Sequence, residues 1–111
     1  MIIGVAHISF SVTDIERTIE FYTKVLGMEL QSKGQIKNDT LGTALFGTQW
    51  GINQKHAEIT FAIIKIGSLN VEFIEYKDPR GQPYHKNPSV AGSAHLAFRV
   101  ENIEETRDRL E

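Results

Sequence analysis

The chain has 111 residues, of which 41% are hydrophobic and 23% charged, and its formal net charge at pH 7 is −2. This size and balance predict one globular core, and the small negative charge provides no basic surface for nucleic acid or for an anionic membrane. Cysteine is absent, which excludes disulfides and thiolate metal sites, so a metal ion would need nitrogen and oxygen ligands. With neither a basic leader nor a long apolar run, we expect a cytoplasmic protein.

The first elements predicted along the chain are a strand and a helix. Residues 5–12 alternate between a mainly polar side and an apolar side, which is the pattern of a half-buried strand. Thr13 begins a capping-box spacing in which Asp14 is a competing cap. An apolar stripe at helical spacing follows over 15–26, and Gly27 predicts the end of that helix.

Three further strands complete a first β-α-β-β-β module. The second strand is predicted over residues 28–33. A loop with a short insertion, which could flank a pocket, is predicted over residues 34–55. The β-rich runs 58–66 and 69–76 are joined by the Gly-Ser pair at 67–68, which is typical of a hairpin.

The remainder predicts a linker and the start of a second module. The first module covers 1–76, and the linker 77–93 holds all three prolines of the chain. The segment 94–111 then predicts a strand over 94–100 and a helix capped near Asn102. Three more strands would be needed to complete this module, so we expect a fragment or an unrepresented tail.

An internal repeat supports this two-module interpretation. Residues 6–18 and 94–106 are identical at seven of thirteen paired positions, and His7 and His95 occupy equivalent places. A single strand histidine is ordinarily a structural residue, bonded to a neighbouring carbonyl. Two histidines retained through a duplication favour metal ligands instead.

Glu72 is the third candidate ligand, because its carboxylate interrupts an apolar strand pattern. Burying a carboxylate is costly unless it is paired or metal-bound. The alternatives are a solvated face or an ion pair with a lysine such as Lys65. Two imidazoles and one carboxylate would leave open coordination positions, as in a catalytic metal site.

With these residues identified, the chain resembles the vicinal oxygen chelate superfamily. That superfamily includes glyoxalase I, bleomycin and fosfomycin resistance proteins, methylmalonyl-CoA epimerase and extradiol dioxygenases. The resemblance covers essentially the whole chain, and its strongest marks are residues 6–12, 21–28, 71–73 and 94–98. It implies an α+β fold of paired βαβββ modules around a divalent cation, with the second module incomplete in this chain.

The resemblance also implies a ligand set and a chemistry. His7, Glu72 and His95 match metal ligands of the family, with nickel, zinc, iron or manganese as the candidate ions. Glutamate at position 72 resembles glyoxalase I, which makes Glu72 a candidate catalytic residue, whereas the epimerases usually have glutamine there. The family's fourth ligand has no counterpart before Glu111.

The predicted function is therefore a metal-dependent, glyoxalase-like enzyme, in which a carboxylate moves a proton through an enediolate of a small substrate with vicinal oxygens. The alternatives are an extradiol-type dioxygenase with Fe(II), and a drug-binding protein that uses no metal. We expect a homodimer, with a site formed within one chain or between two. Four basic residues are candidates to bind an anionic substrate, with nothing in the sequence to choose among them: Arg17, Lys33, Lys37 and Arg80.

Overall fold

The computed structural model of the chain describes residues 1–38, 57–78, 80 and 87–110. The described elements, in chain order, are β1 (Ile8–Ser11), α1 (Ile15–Glu20), a π-helical turn (Phe21–Val25), β2 (Glu29–Asn38), β3 (Ala57–Ile66), β4 (Leu69–Asp78) and α2 (Ile103–Leu110). None of the helices in these ranges is long and apolar enough to cross a bilayer. Most of the predicted loop and part of the predicted linker, including Pro79, lie outside the described residues.

The four strands form one mixed sheet in the order β1-β4-β3-β2. β1 runs parallel to β4, with Ser9 opposite Glu72, while β2, β3 and β4 form an antiparallel meander. Gly67 closes the predicted β3–β4 hairpin with φ of 61°, a conformation that glycine adopts without strain. The β-α-β-β-β order of the predicted first module and the α+β class are confirmed.

Helix α1 begins at a side-chain cap and a second carboxylate. Asp14, rather than Thr13, is the cap residue, and its Oδ1 accepts a hydrogen bond from the Arg17 backbone N–H at 3.1 Å. The backbone N–H of Ile15 donates to Oε1 of Glu75 on β4 at 2.9 Å. Two of the amide groups left free at this helix start are therefore satisfied, one of them by the sheet itself.

The helical segment continues beyond the end of α1, because the π-helical turn follows it directly. The Leu26 N–H donates to the Phe21 carbonyl at 3.1 Å, and Gly27 then adopts φ of 72°. The left-handed residue predicted from the sequence thus ends the helical segment and directs the chain into β2.

The core lies between α1 and one face of the sheet. Its buried members are Ile15, Ala62, Ile64, Val71 and Phe73. Ile64 and Val71 are directly opposite each other on neighbouring strands, and both have no accessible surface. Burial of side chains of this size contributes about 1.5–3 kcal/mol each.

The segment predicted as the first strand of the second module, 94–100, is not a strand. It belongs to no ladder within the described part of the chain, although Leu96 packs against the core. A strand exists only through pairing, and among the described residues β1 pairs with β4 alone. The second helix is as predicted, since the Glu105 N–H donates to Oδ1 of Asn102 at 3.0 Å, at the start of α2.

Candidate functional site

The sheet has two unlike faces, and the candidate ligands separate along them. Side chains alternate along a strand, so Phe10 and Phe73 face α1 while Ser9 and Glu72 face the opposite side. His7 precedes β1 by one residue and shares the side of Ser9. We call this side the open face; it also carries half-buried apolar groups at Phe61, Ile63, Ile74 and Tyr76.

His7 and Glu72 meet on the open face. Nε2 of His7 lies 3.7 Å from Oε1 of Glu72, and the two side chains are 44% and 19% exposed. The carboxylate interrupting the apolar strand is therefore partly shielded from water and lies beside an imidazole. The family resemblance implies that these two residues are ligands of one metal ion, and their proximity is compatible with that prediction.

Tyr76 shows that the charge of Glu72 acts within this face. Burial is the larger cause that raises the pKa of the Tyr76 hydroxyl, and the negative charge of Glu72 raises it further. Tyr76 lies four residues after Glu72 on the same face of β4, opposite Ile59 of β3. The open face thus carries the Tyr76 hydroxyl, the Glu72 carboxylate and the His7 imidazole on a mainly apolar surface.

The His7–Glu72 pair fits two adjacent positions on a divalent cation. Imidazole nitrogen and carboxylate oxygen bind such ions at about 2.0–2.2 Å, which places two neighbouring ligand atoms roughly 3–3.4 Å apart. The observed 3.7 Å is within a few tenths of an ångström of that spacing. Among the described residues, however, no group of three or more histidine and carboxylate side chains could hold a metal ion.

His95 lies elsewhere. It is exposed and lines a cavity on the α1 side of the sheet, together with Phe10 and Phe73. The structure therefore brings together His7 and Glu72 and leaves His95 apart from them. The three-ligand set remains a prediction.

The same cavity contains residues whose part in a site was not predicted from the sequence. Tyr22 was predicted only as one member of the apolar helix stripe, yet its ring lines the cavity, and burial raises the pKa of its hydroxyl. Of the candidate basic residues, Lys33 pairs with Glu16 and Lys37 with Glu58, while Arg17 lines the cavity. The only signal in the sequence was the aromatic pair at 21–22, one turn after Arg17.

A family model of the Glyoxalase/Bleomycin resistance protein/Dioxygenase superfamily matches residues 4–111. The chain belongs to this superfamily, which confirms the resemblance found in the sequence.

Two similar proteins bear on the architecture. A glyoxalase family protein of Bacillus cereus has a similar solved structure, with a TM-score of 0.74 and 19% identity, over 99% of this chain and 71% of that one. Among curated proteins, the chain is similar to a 2-epi-5-epi-valiolone epimerase from an Actinomyces species, at 26% identity over 113 residues. That alignment covers 97% of this chain and 57% of the epimerase, so the chain spans little more than half of its relative's length. The shared fold agrees with one complete module followed by part of a second.

Proposed function

We propose that the chain is part of a metal-dependent enzyme that transfers a proton at a carbon atom next to the vicinal oxygens of a small substrate. The observation that carries the proposal is the approach of His7 Nε2 to Glu72 Oε1, at 3.7 Å on the open face. Membership of the superfamily supports it, because divalent metals are typical of its members. A bound divalent ion would supply the positive charge that stabilises an enediolate.

Glu72 is proposed to have two roles, ligand and proton carrier. Its side chain is 19% exposed, so it is shielded enough to act on a bound substrate and open enough to be reached. Its carboxylate accepts the proton from the substrate carbon and returns it to the neighbouring carbon or to the opposite side of the same carbon. The first outcome is glyoxalase-type isomerisation and the second is epimerisation.

The epimerase relative favours the second outcome as an alternative to glyoxalase chemistry. Both reactions need the same first step, removal of a proton beside an oxygen-bearing carbon. Exchange of that proton with solvent is therefore the activity to measure first. Incubation in D₂O with a hemithioacetal and with a cyclic 2-hydroxyketone, followed by proton NMR, reports the step without committing to the final product.

His95 enters this proposal as a third ligand that joins the site only when modules pair. Within one chain it lies on the α1 side of the sheet, so the remaining ligands would come from a second module or from a second copy. The need for ligands from a second copy is a further reason to propose a homodimer, besides the open edge of an incomplete sheet. Sedimentation at micromolar concentration, with and without added zinc, measures it; a monomer under both conditions contradicts it.

Metal analysis after purification without chelators tests the ligand assignment. We expect close to one ion per site in the wild type and a metal affinity at least about tenfold lower in His7→Ala and in Glu72→Ala. Glu58→Gln, which changes a carboxylate on the neighbouring strand, is the matched control and should leave the metal content unchanged.

Equal metal content in the wild type, His7→Ala and Glu72→Ala would refute the ligand assignment. Substoichiometric metal, together with small-molecule binding that His7→Ala leaves intact, would support the metal-free binding protein instead. Oxygen consumption with a catechol and ferrous iron, without proton exchange, would support the dioxygenase. If His95→Ala alone lost metal, the protein would still be a metal-binding protein, but His7 and Glu72 would not be its ligands.

A further inference from the structure

The cavity on the α1 side of the sheet lies apart from the His7–Glu72 pair. Its volume is about 840 Å³, and it lies between β1, the first helix with its π-helical turn, and the segment 94–98. Phe10 points into it, whereas the neighbouring Ser9 faces the other side of the sheet with Glu72. Cavities of about 300–1,000 Å³ hold drug-sized molecules.

Aromatic rings form the apolar wall of this cavity in one connected series. Phe10 stacks with Phe73 at 6.3 Å between ring centroids, and Tyr22 lies 4.8 Å from Phe73. Tyr22 also makes T-shaped contacts, with Phe98 at 6.4 Å and with Phe21 at 5.4 Å between ring centroids. Phe21 and Phe98 remain 44% and 41% exposed. Rings arranged edge-on and stacked in this way provide the partners that another flat ring prefers.

The polar side chains that line the same space include those of Arg17, His95 and Asp14. The Arg17 guanidinium forms no ion pair with any residue that the structure describes, and neither does His95. In contrast, Lys33 close to the same helix is paired with Glu16. Asp14 is partly engaged, because its Oδ1 caps α1 through the Arg17 N–H.

An unpaired guanidinium beside an apolar wall indicates an anionic ligand with a flat apolar body. Arginine binds carboxylates through two parallel hydrogen bonds, and its planar group also stacks on aromatic faces. An imidazole N–H can donate a further hydrogen bond to the same anion. The Asp14 carboxylate disfavours a second anionic group on the ligand, so a single negative charge fits best.

We propose that this cavity binds a small aromatic monocarboxylate, with its ring among Phe21, Tyr22 and Phe98 and its carboxylate on Arg17. The side chains that contact the ligand lie on the opposite side of the sheet from His7 and Glu72, so this site needs no metal ion. It is a site of the unpaired chain, because module pairing that brought His95 to the metal would take the segment 94–98 out of this cavity.

Titration with 2-naphthoate, followed by ¹H–¹⁵N correlation spectra of ¹⁵N-labelled protein, tests this site. We expect shifts concentrated in 10–22 and 94–98, and affinity for 2-naphthamide, which has the same ring without the charge, roughly tenfold weaker. Arg17→Gln should weaken 2-naphthoate binding by roughly tenfold and leave 2-naphthamide binding unchanged. Lys24→Gln, which removes an exposed cation of the π-helical turn that does not line the cavity, should change neither affinity.

Three outcomes would overturn the proposal: equal affinities for the acid and the amide, unchanged 2-naphthoate binding in Arg17→Gln, or shifts confined to the open face around Ile63 and Ile74. Addition of EDTA separates this site from the metal proposal. Naphthoate binding that persists with EDTA supports a second site, and naphthoate binding that EDTA abolishes assigns the ligand to the metal face and refutes it. Naphthoate binding is tested in the same way whether or not His7→Ala loses its metal ion.

Discussion

Glu75 ties the start of helix α1 to the sheet, and its replacement should measurably destabilise the fold. Its side chain is 13% exposed; one carboxylate oxygen accepts the Ile15 N–H at 2.9 Å and the other pairs with the Lys77 ammonium. Ile15 is itself 2% exposed, so its N–H has little access to water when the carboxylate is removed. A hydrogen bond to a charged group contributes about 1.5–3 kcal/mol. Glu75→Ala should therefore lower the free energy of unfolding by about 2 kcal/mol.

The same carboxylate should make stability depend on pH. Burial acts to raise the pKa of Glu75, but hydrogen bonds from Lys77 and from the Ile15 N–H, with the charge of Lys77, outweigh it and hold the pKa below its ordinary value of 4.5. A lowered folded-state pKa means that the ionised group stabilises the fold above that ordinary value. This contribution is lost as the pH falls below 4.5 and through the folded-state pKa.

Thermal unfolding followed by circular dichroism measures both effects. At pH 7, Glu75→Ala should lower Tm by about 8 °C and Glu75→Gln by about 4 °C, since glutamine keeps an acceptor for the Ile15 N–H but loses the charge. Glu58→Gln is the control, because its pair with Lys37 is well exposed and contributes little. The reasoning is refuted if both Glu75 variants unfold with the wild type at pH 7, or if the gap between wild type and Glu75→Gln stays constant from pH 7 to pH 3.

Three further changes test the fold by chemical denaturation. Ile64→Ala should cost about 2–5 kcal/mol because Ile64 has no accessible surface; a cost below about 1 kcal/mol would contradict its place in the core. Gly27→Ala should cost about 1 kcal/mol because φ there is 72°, although a Cβ would meet no atom within 4 Å; an unchanged midpoint would contradict this. Gly34→Ala should cost about 1 kcal/mol for a different reason, since its Cβ would lie 3.0 Å from the Phe61 ring, and Phe61→Ala in the same background should remove the clash.

Local sequence signals predicted the first module well because each rests on short-range physics. Gly27 and the 67–68 pair were recognised from the backbone freedom of glycine, and both Gly27 and Gly67 have positive φ. The interruption of an apolar strand pattern singled out Glu72, but the β1–β4 register was needed to place it beside His7. The π-helical turn had no such signal, because its residues have the same stripe as an ordinary α-helix.

Features that depend on long-range pairing were less predictable. Residues 94–100 were predicted to form a strand, but a strand also needs a neighbour, and none pairs with this segment in the described part of the chain. His95 was assigned by its equivalence to His7, yet the repeat fixes only its position along the segment and not the side of the sheet on which that segment lies. The segment 94–98 lies on the α1 side of the sheet, where it forms one wall of the cavity.

The parallel contact between β1 and β4 has a consequence for how the molecule assembles. Ile15 of α1, the helix that follows β1, contacts Glu75 of β4 across 60 residues, whereas the β3–β4 hairpin closes over two residues. Loop closure over that distance costs several kcal/mol of chain entropy, so short-range hairpin contacts are favoured to form before long-range ones. His7 and Glu72 therefore become neighbours only when the most distant contact of the sheet has formed. A mutation that loosens β1 should separate this pair while the β2–β3–β4 meander is still intact.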